Sequence, residues 1–423
     1  MTEPADPPGY DDFARALVEG GVLTDPWLDG RPRFDPEPIV IASRAAARLA
    51  DAARAAAEVW DEAVRIAADD PALLDDFYGL TPVQKLMFEA SQPLWHGIAR
   101  ADVFFTTDGG LAITELNCDT PTGEAEACVL GALASKARPG LLDPNAQLAE
   151  RFVEMLFAMR DALVGPSAKR TVGIVYPTEL TEDLSLVRLY KRWLEARGLD
   201  VALGSPYNLR RMEGEASVRV FEEPVSLLIR HYKTDWWSER ASAWDDEEVP
   251  DAAPLAGPLH AALSAQAEGG TAIVNPFGAV VAQNKRTMAL MWEHIHRFSV
   301  RAQEVIRELV PVTLRLEGAH PEMLRSRKED WVLKSDYGAE GEEVVIGALV
   351  TQALWEDSLL HARRGRWVAQ RWFEAERDAQ GRTTNLGVFV VAGEPAGLYA
   401  RRGEPGTDAA SLSVPVLIDS DAA

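Results

Sequence analysis

Two acidic residues, Asp102 and Glu115, belong to a segment whose pattern predicts a β-hairpin. The runs Arg100 to Thr107 and Leu111 to Asn117 are rich in β-prone residues, and Asp108-Gly109-Gly110 between them is a typical turn signal. With a two-residue turn, counting outward along both strands places the two acids directly opposite each other. We therefore expect two carboxylates at cross-strand distance.

Four polar residues share one face of this predicted hairpin. Because side chains alternate along a strand, the acids lie on the same side as Arg100 and Asn117. Facing carboxylates repel by about 3–4 kcal/mol at an effective dielectric of about 20. Mg²⁺ between them would turn that repulsion into binding, and Asn117 offers a further oxygen. We predict a Mg²⁺ site at Asp102, Glu115 and Asn117, with Arg100 on a phosphate oxygen.

A solvated hairpin face with scattered charges is the alternative interpretation. In the same register, however, Phe104, Leu111 and Ile113 share the acid face, and an apolar face that carries two acids indicates a lined cleft. The prediction depends on the turn, because a one-residue slip would move every side chain of one strand to the other face.

The short polar run that follows the hairpin has the hydrogen-bonding groups of a substrate loop. An ordinary turn into a helix near Glu124 to Leu133 is the alternative. Cys118 has no histidine beside it in the sequence and points away from the acid face by alternation, so we expect a packed, unreactive thiol. We predict that three residues of the run contact a substrate: Asp119, Thr120 and Thr122.

A lysine, Lys334, ends the apolar run Trp331 to Ser335 and precedes a loop that contains Gly338 and Gly341. A lysine there can neutralise ATP phosphate charge, and the glycines let backbone amides approach the phosphates. The segment is not a P-loop, because it has no Gly-Lys-Ser/Thr, and its glycine spacing differs from a dinucleotide fingerprint. A plain glycine turn between two strands is the structural alternative.

The run Arg366 to Glu374 predicts a strand whose edge could hydrogen-bond an adenine. We assign Gln370 within it to nucleotide binding. Taken alone, the run favours a plain structural hairpin.

Four segments, in this order, resemble the synthetase domain of the glutathionylspermidine synthase family, a branch of the ATP-grasp ligases. The resemblance runs from about Gln92 to the C-terminus, and the pattern Glu-x-Asn-x-Asp-Thr-Pro-Thr is its most specific part. The segments are Arg100-x-Asp102 with Glu115-Leu-Asn117-Cys-Asp119-Thr120-Pro121-Thr122, then Asn284-Lys285, then Lys334-x-x-x-Gly338-x-Glu340-Gly341, and finally Pro395-Ala-Gly397-Leu-Tyr-Ala-Arg401.

The resemblance implies an ATP-grasp-like fold of the α+β or α/β class, multi-lobed around a central cleft. It also implies a carboxylate–amine ligase in which ATP phosphorylates the carboxylate, the amine attacks, and ADP and phosphate leave. The match places Mg²⁺ on Asp102, Glu115 and Asn117. It assigns Arg401 and Arg100 to the transferring phosphoryl group. Nucleotide binding falls to a wider set, namely Arg100, Lys285, Lys334, Gly338, Glu340 and Gly341.

The chain departs from the family pattern in places. Ser335 follows Lys334 where family members often have proline, and Val414-Pro415-Val416 lacks a histidine common after that proline. We expect no separate amidase domain, which some bifunctional members carry, so the chain looks like the stand-alone homologues. The expected partners are a small, peptide-like carboxylate and an amine, with no nucleic acid and no membrane.

Helices and strands must position these residues, and the hydrophobic pattern predicts that the chain is divided into four regions. Residues 1–98 are a helical N-terminal region and 99–170 hold the metal-binding hairpin and helices of the ATP-grasp core. Residues 171–283 form an α/β substrate lobe, and 284–423 form the nucleotide-binding lobe. The predicted helices are Ser43 to Asp69, one after Pro71, one after Pro82, Glu182 to Arg197 and Thr351 to Arg363. The other predicted strands are Thr171 to Tyr176, Val225 to Arg230, Thr271 to Asn275, Trp331 to Ser335, Glu343 to Ile346, Arg366 to Phe373, Leu386 to Ala392 and Gly397 to Arg401.

Composition narrows the classes of function. The 423 residues, 47% hydrophobic and 26% charged, are ordinary for a globular protein. A net charge of −23 argues against general nucleic-acid binding. No apolar run is long enough to span a membrane, Met1 to Tyr10 lacks the pattern of a secretory signal, and there are only two cysteines, so we expect a cytoplasmic protein.

Two other classes of function compete with a ligase. A nucleotide-binding or regulatory protein could keep an ATP-grasp fold without turnover, although the intact acid, lysine and arginine set argues against it. An oxidoreductase that binds a dinucleotide in the middle region is excluded, because no glycine-rich turn follows the strand that ends at Tyr176.

Overall fold

The computed structural model describes residues 9–239, 253–338, 343–362, 366–406 and 411–422. Its elements form a mixed α+β fold with several sheets around a central cleft, which confirms the expected fold class. Within those ranges, no helix combines the length and the apolar character that a membrane crossing requires.

The α-helices are spread along the whole described chain. They are α1 (Tyr10–Gly20), α2 (Ser43–Ala68), α3 (Pro82–Ser91), α4 (Glu124–Ala137), α5 (Leu148–Val164), α6 (Leu184–Ala196), α7 (Thr234–Glu239), α8 (Ala256–Ala267), α9 (Ala279–Ala282), α10 (Arg286–Glu293), α11 (Val300–Leu309), α12 (Pro321–Ser326) and α13 (Gln352–Ala362). A π-helical turn at Leu73–Phe77 occupies the place of the helix predicted after Pro71.

Among the described residues, the strands form three larger sheets, one small three-stranded sheet and two short pairs. They are β1 (Trp27–Leu28), β2 (Arg31–Pro32), β3 (Ile39–Ala42), β4 (Ile98–Phe105), β5 (Leu111–Asn117), β6 (Thr171–Val175), β7 (Asp200–Gly204), β8 (Leu209–Arg210), β9 (Arg219–Val220), β10 (Glu223–Pro224), β11 (Leu227–Arg230), β12 (Ala272–Val274), β13 (Thr313–Arg315), β14 (Trp331–Ser335), β15 (Val344–Ile346), β16 (Trp367–Arg371), β17 (Thr383–Val391), β18 (Glu394–Gly403), β19 (Leu412–Val414) and β20 (Val416–Asp419). Each strand predicted from the sequence is present, most of them with shifted ends.

The long helix α2 confirms the helix predicted at Ser43 to Asp69. Its buried face repeats at three- and four-residue spacing, as in Ala53, Ala56, Trp60 and Val64. Trp60 is fully enclosed, and its indole N–H donates to the carbonyl of Ala282 at 3.1 Å. This helix therefore fixes the sheet that it covers against the segment that leads to Lys285.

A five-stranded antiparallel sheet carries the hairpin, in the order β19-β18-β17-β4-β5. One face packs on α2 through the largest apolar core of the molecule, and the other face opens onto the cleft. The sheet joins strands from residues 99–170 with strands from 284–423, so the hairpin and the C-terminal strands form one structural unit. The four-part division of the chain stays a prediction.

A parallel sheet in the order β12-β11-β6-β7 confirms the open α/β arrangement expected for the middle of the chain. Helices α5 and α6 cover one face and α8 covers the other, which explains the continuous apolar runs of its inner strands. The carboxyl ends of β6 and β11 point to the same edge, and that edge borders the cleft.

A third sheet, antiparallel in the order β13-β16-β14-β15, is backed by α12 and α13. It stands across the cleft from the hairpin sheet. The cleft between the three sheets has a volume of about 1960 Å³.

Candidate active site

The hairpin has the predicted register at its acids but a different turn. Asp102 pairs with Glu115 and Arg100 pairs with Asn117, as the spacing predicts. At the tip, however, Phe105 pairs with Leu111, so the turn is longer than two residues. A β-bulge between the two regions leaves Thr114 as an extra residue on β5 and restores the alignment of the acids.

Because of the bulge, the apolar residues that line the acid face differ from those predicted. Ile113 pairs with Val103 and lies fully buried in the core behind the sheet, and Leu111 also packs on that core. Only Phe104 of the three predicted apolar residues faces the cleft, where its ring lies 5.6 Å from that of Phe373. The bulge reverses the alternation, because one extra residue moves the outer part of the strand to the opposite face.

Asp102 is paired with an arginine, so it does not face Glu115 as an isolated charge. Arg100 Nε donates to Asp102 Oδ1 at 2.7 Å and its Nη2 donates to Oδ2 at 3.0 Å, with both residues buried. The third guanidinium nitrogen, Nη1, donates to the carbonyl of Thr122 at 2.6 Å. A two-pronged pair of this kind fixes the arginine against the hairpin.

Glu115 is balanced by two lysines from distant parts of the chain. Lys285 Nζ lies 3.4 Å from Glu115 Oε2, and Lys334 Nζ donates to the carbonyl of Thr114 at 3.3 Å. Burial alone would raise the pKa of Glu115, but the two lysines and a hydrogen bond from Asn117 hold it at about 2. Burial lowers the pKa of Lys334 to about 8, with Glu115 opposing the change. The carboxylate is therefore ionised at neutral pH.

The two acids therefore belong to a cluster of anionic and cationic side chains, which offsets the repulsion expected between them. Two carboxylates meet three cationic side chains, so the cluster carries an excess of positive charge before any nucleotide binds. Such a cluster suits a polyanion together with a small cation, because the lysines and Arg100 can turn to phosphate oxygens and leave carboxylate oxygens for the cation.

The predicted third metal ligand, Asn117, is also placed by hydrogen bonds. Its side-chain N–H donates to Glu115 Oε1 at 3.1 Å, and its Oδ1 accepts from Gln283 at 3.2 Å. Gln283 Oε1 in turn accepts the backbone N–H groups of Cys118 and Asp119. Gln283 was not predicted, although it directly precedes the Asn284-Lys285 segment.

A second residue missed by the sequence reasoning, Asn385, gives an independent indication that the cluster can accommodate a further oxygen-bound partner. Its amide N–H donates to Asp102 Oδ2 at 3.1 Å, while its buried Oδ1 finds no hydrogen-bond partner among the described residues. No group of three or more acid, histidine or cysteine side chains that could hold a metal ion occurs in the described ranges, so a cation here would need amide oxygens besides the two carboxylates. The oxygen set of Asp102, Glu115, Asn117 and Asn385 fits Mg²⁺, which takes few protein ligands and completes its shell with phosphate oxygens and water.

Gly387 lies beside Asp102 in the register and lets Arg100 pass over the neighbouring strand. A Cβ at this position would lie 2.6 Å from Arg100 Cδ and 3.1 Å from its Nε. We therefore predict that Gly387→Ala displaces Arg100 and lowers the free energy of unfolding by about 1–3 kcal/mol. Urea denaturation measures it. Gly318→Ala is the matched control, because a Cβ added there would meet nothing within 4 Å, and equal stability of both variants would show that Arg100 is loosely held.

Arg401 and Arg402 point to opposite sides of β18, as alternation requires. Arg401 lines the cleft between Asn385 and Ser413 of the adjoining strands. Arg402 shares the other face with buried Ala400, and its Nη2 lies 2.6 Å from Asp35 Oδ2. The structure thus brings Arg401 to the same sheet face as Arg100.

The glycine loop lies beside the lysines. Lys285 Nζ donates to the carbonyl of Gly338 at 2.6 Å, and the backbone N–H of Gly338 donates to Ser335 Oγ at 2.9 Å. Glu340 and Gly341, which were also predicted to bind the nucleotide, lie outside the described residues. Their assignment stays a prediction.

The prediction of an open strand edge for adenine is wrong. Strand β16 is hydrogen-bonded to β13 on one side and to β14 on the other, so its backbone groups are used within the sheet. Gln370 does line the cleft, but it is 2% exposed and its amide N–H donates to Thr313 Oγ1 at 3.1 Å. A nucleotide role for Gln370 stays a prediction that requires this side chain to rearrange.

The predicted substrate loop lines the cleft next to Arg100. Asp119, Thr120 and Thr122 all border the cavity, but Asp119 is only 3% exposed. Asp119 Oδ1 lies 2.7 Å from Arg230 Nη2, and its Oδ2 accepts from the backbone N–H of Thr234 at 2.7 Å. These contacts tie the loop to the end of β11, so in this state Asp119 holds the loop in place.

Cys118 is fully buried in the core behind the hairpin, as expected. Burial raises the pKa of its thiol well above the usual value, with Asp119 adding to the effect. A thiol in that environment is a poor nucleophile.

The cleft also holds a pair that the sequence reasoning did not single out. His231 directly follows β11, and its Nε2 lies 3.2 Å from Asp183 Oδ1, just ahead of α6. Both residues line the cleft. The residues are far apart in the sequence, and the only available signal was that each follows a buried strand of the parallel sheet.

A family model and one solved structure agree with this fold. The family described as glutathionylspermidine synthase preATP-grasp matches residues 29–419. A glutathione synthetase-like effector from Globodera pallida superposes with a TM-score of 0.59 over 98% of each chain at 13% sequence identity. A putative γ-glutamylcysteine synthetase from Methylobacillus flagellatus aligns over 81% of this chain and 83% of its own, with a TM-score of 0.47 and 12% identity. No curated protein matches the sequence.

Proposed function

This chain belongs to the glutathionylspermidine synthase preATP-grasp family, and we propose that it is an ATP-dependent ligase that joins a carboxylate to an amine. The observation that carries the proposal is the cluster of Arg100, Lys285 and Lys334 around Asp102 and Glu115 on one wall of a large cleft. Phosphoryl transfer needs cationic groups around a metal-bound polyphosphate, and this cluster supplies both the cations and the metal-binding oxygens.

The residues divide into distinct roles. Asp102, Glu115 and Asn117 would hold Mg²⁺ through their oxygens, and the bound ion would neutralise charge on the phosphates. Lys285 and Lys334 bind the polyphosphate from the side of the third sheet, with the backbone of Gly338 beside them. Gln370, Glu340 and Gly341 are assigned to the same nucleotide.

The two arginines act where the phosphoryl group is transferred. Arg100 and Arg401 both lie on the cleft face of the hairpin sheet, where Asn385 is the register partner of Arg401 and donates to Asp102, the ion-pair partner of Arg100. A guanidinium offers several donors in one plane, which suits the spread oxygens of a transferring phosphoryl group. They stabilise the charge that develops as the substrate carboxylate attacks ATP and becomes an acyl phosphate. The amine then attacks the acyl carbon and phosphate leaves.

The carboxylate substrate is assigned to the loop beside Arg100. Thr120 and Thr122 border the cavity, and Asp119 fixes the loop through Arg230 and Thr234. The loop is therefore positioned to hold a carboxylate within reach of the transferring phosphoryl group. Both substrates are small molecules, and we place the reaction in the cytoplasm because both cysteines are free thiols.

The proposal predicts the products of turnover. An acyl-phosphate route gives ADP and inorganic phosphate, whereas an adenylating enzyme would give AMP and pyrophosphate. The purified protein is incubated with Mg²⁺–ATP and a panel of peptide acids and amines, including glutathione and spermidine. We expect ADP to appear only when an acid and an amine of the correct pair are both present, together with a ligated product in the mass spectrum.

The same panel separates the ligase from the alternative class. A catalytically silent nucleotide-binding protein would bind ATP and release no ADP with any pair. Formation of AMP in place of ADP would contradict the acyl-phosphate route while leaving an ATP-dependent ligase.

A further inference from the structure

The proposed reaction requires a proton acceptor that the phosphoryl-transfer cluster does not provide. An alkylamine is protonated in neutral water and must lose a proton before its lone pair can attack, and the nitrogen loses another as the amide forms. The residues of the cluster near Arg100 are cations or carboxylates already engaged with cations. The acceptor must therefore come from another part of the cleft.

His231 is the histidine that lies in the right place. The chain has seven histidines, all within the described residues, and His231 is the one that lines the cleft. It is 6% exposed, so its imidazole contacts the cavity without being freely solvated. Its backbone N–H donates to the carbonyl of Val175 at 2.8 Å, which fixes it between the ends of the two central parallel strands.

Asp183 orients this imidazole from the neighbouring connection. The carboxylate Oδ1 lies 3.2 Å from His231 Nε2, and the Asp183 side chain is 18% exposed. Asp183 precedes α6, which follows the strand next to His231 in the sheet. A carboxylate on one side of an imidazole stabilises its protonated form and leaves the other ring nitrogen for a substrate.

The pair lies close to the phosphoryl-transfer cluster. Arg230, the residue before His231, is ion-paired with Asp119, and Arg100 donates to the carbonyl of Thr122 in the same loop. Buried Glu124, at the start of α4, interacts electrostatically with both Arg100 and His231. Its Oε1 accepts from Tyr190 at 3.1 Å. Besides Asp183 and Glu124, the charged groups near His231 on its own segment are Arg230, which is bound to Asp119, and Lys233.

We propose that His231, held by Asp183, is the general base that takes the proton from the attacking amine, an inference that rests on the proposed ligase function. In this step the amine nitrogen forms the C–N bond to the acyl carbon, and the C–O bond to phosphate breaks. Phosphate leaves with the electron pair of that bond, and the proton from nitrogen goes to the imidazole. No further reactant is required.

The test compares two nucleophiles on the same acid. The acid and alkylamine that give product in the panel above are used, and hydroxylamine replaces the alkylamine in a parallel reaction. Hydroxylamine is uncharged near neutral pH, so it can trap the acyl phosphate as a hydroxamate with far less need of a base. We expect His231→Gln to lower the rate of alkylamine transfer by about 10²–10⁴-fold and to change hydroxamate formation by less than about tenfold.

Three further variants make the outcome specific. Asp183→Asn should lower the rate of alkylamine transfer while changing hydroxamate formation by less than about tenfold, because the imidazole loses the carboxylate that orients it; a purely structural role would slow both nucleophiles alike. His260→Gln, an exposed histidine on α8, should change neither reaction. Asp235→Asn tests a second candidate base in the cleft, a carboxyl whose Oδ1 is buried without a hydrogen-bond partner among the described residues.

The inference is overturned if His231→Gln slows both nucleophiles equally, if it slows neither, or if Asp235→Asn shows the selective loss instead. A wild-type protein that forms neither amide nor hydroxamate with any acid would contradict the proposed function itself. A wild-type protein that forms hydroxamate, with a His231→Gln variant that transfers alkylamine normally, contradicts only the role of His231.

Discussion

Glu115→Gln should abolish ligation, with a loss of about 10³-fold or more in rate, because it removes several kcal/mol of metal-based charge stabilisation. The substitution keeps the shape of the side chain and removes its charge. It takes one carboxylate from the metal site and leaves Lys285 and Lys334 without their shared anion. The rate of ADP release with a productive acid and amine measures the effect, and ATP binding with Mg²⁺ or with EDTA shows whether the metal link is lost.

The same variant should also be less stable, which follows from the cations around Glu115. The pKa of Glu115 falls from 4.5 to about 2 in the folded protein, so its ionised form contributes stability above pH 4.5, and that contribution is lost as the pH falls toward 2. At pH 7 the Gln variant therefore lacks the full contribution. We expect a loss of about 1–3 kcal/mol in the free energy of unfolding.

Glu89→Gln is the control, since Glu89 is an exposed carboxylate on α3 away from the cleft. It should leave both turnover and stability unchanged. Full activity of Glu115→Gln, or equal ATP affinity of the wild type in Mg²⁺ and in EDTA, would remove the metal site from the proposal.

Arg401→Lys should lower kcat by about 10²–10³-fold while changing ATP affinity little. Arg401 lies on the cleft face of β18, and we assign it to the transferring phosphoryl group and not to ground-state ATP. Contacts that strengthen only as charge develops affect the rate more than binding. Lysine keeps the charge but loses the planar set of donors. Steady-state kinetics and calorimetric titration with ATP separate the two quantities.

Arg402→Lys is the internal control for this prediction. Arg402 is on the other face of the same strand, paired with Asp35 at 2.6 Å. Its replacement should reduce stability and leave kcat near the wild-type value. If Arg402→Lys loses rate and Arg401→Lys does not, the arginine assignment is wrong by one residue. If both variants keep normal rates, Arg401 has no role in transfer, and Arg100, Lys285 and Lys334 are the cations that contact the phosphoryl group.

The hairpin shows where local patterns are sufficient and where they are not. The alignment of Asp102 with Glu115 follows from alternation and a glycine turn, and both are properties of neighbouring residues. The turn itself is longer than the pattern predicts, and the bulge at Thr114 restores the alignment. A bulge is favoured here because it buries Ile113 against Val103 in the core, and such a gain depends on α2 and on strands from the other end of the chain.

The sequence by itself determined the family, the fold class and which polar residues of the hairpin and the C-terminal strand face the cleft, because these depend on motifs and on period-two alternation. Tertiary structure alone decided what surrounds those residues. Lys285 and Lys334 meet Glu115, Asn385 meets Asp102, and His231 meets Asp183 across long sequence separations. The balance of charge around Glu115 and the pairing of the edges of β16 depend on which elements pack together around the cleft. A local sequence pattern does not encode the distance between residues that are brought together only by packing.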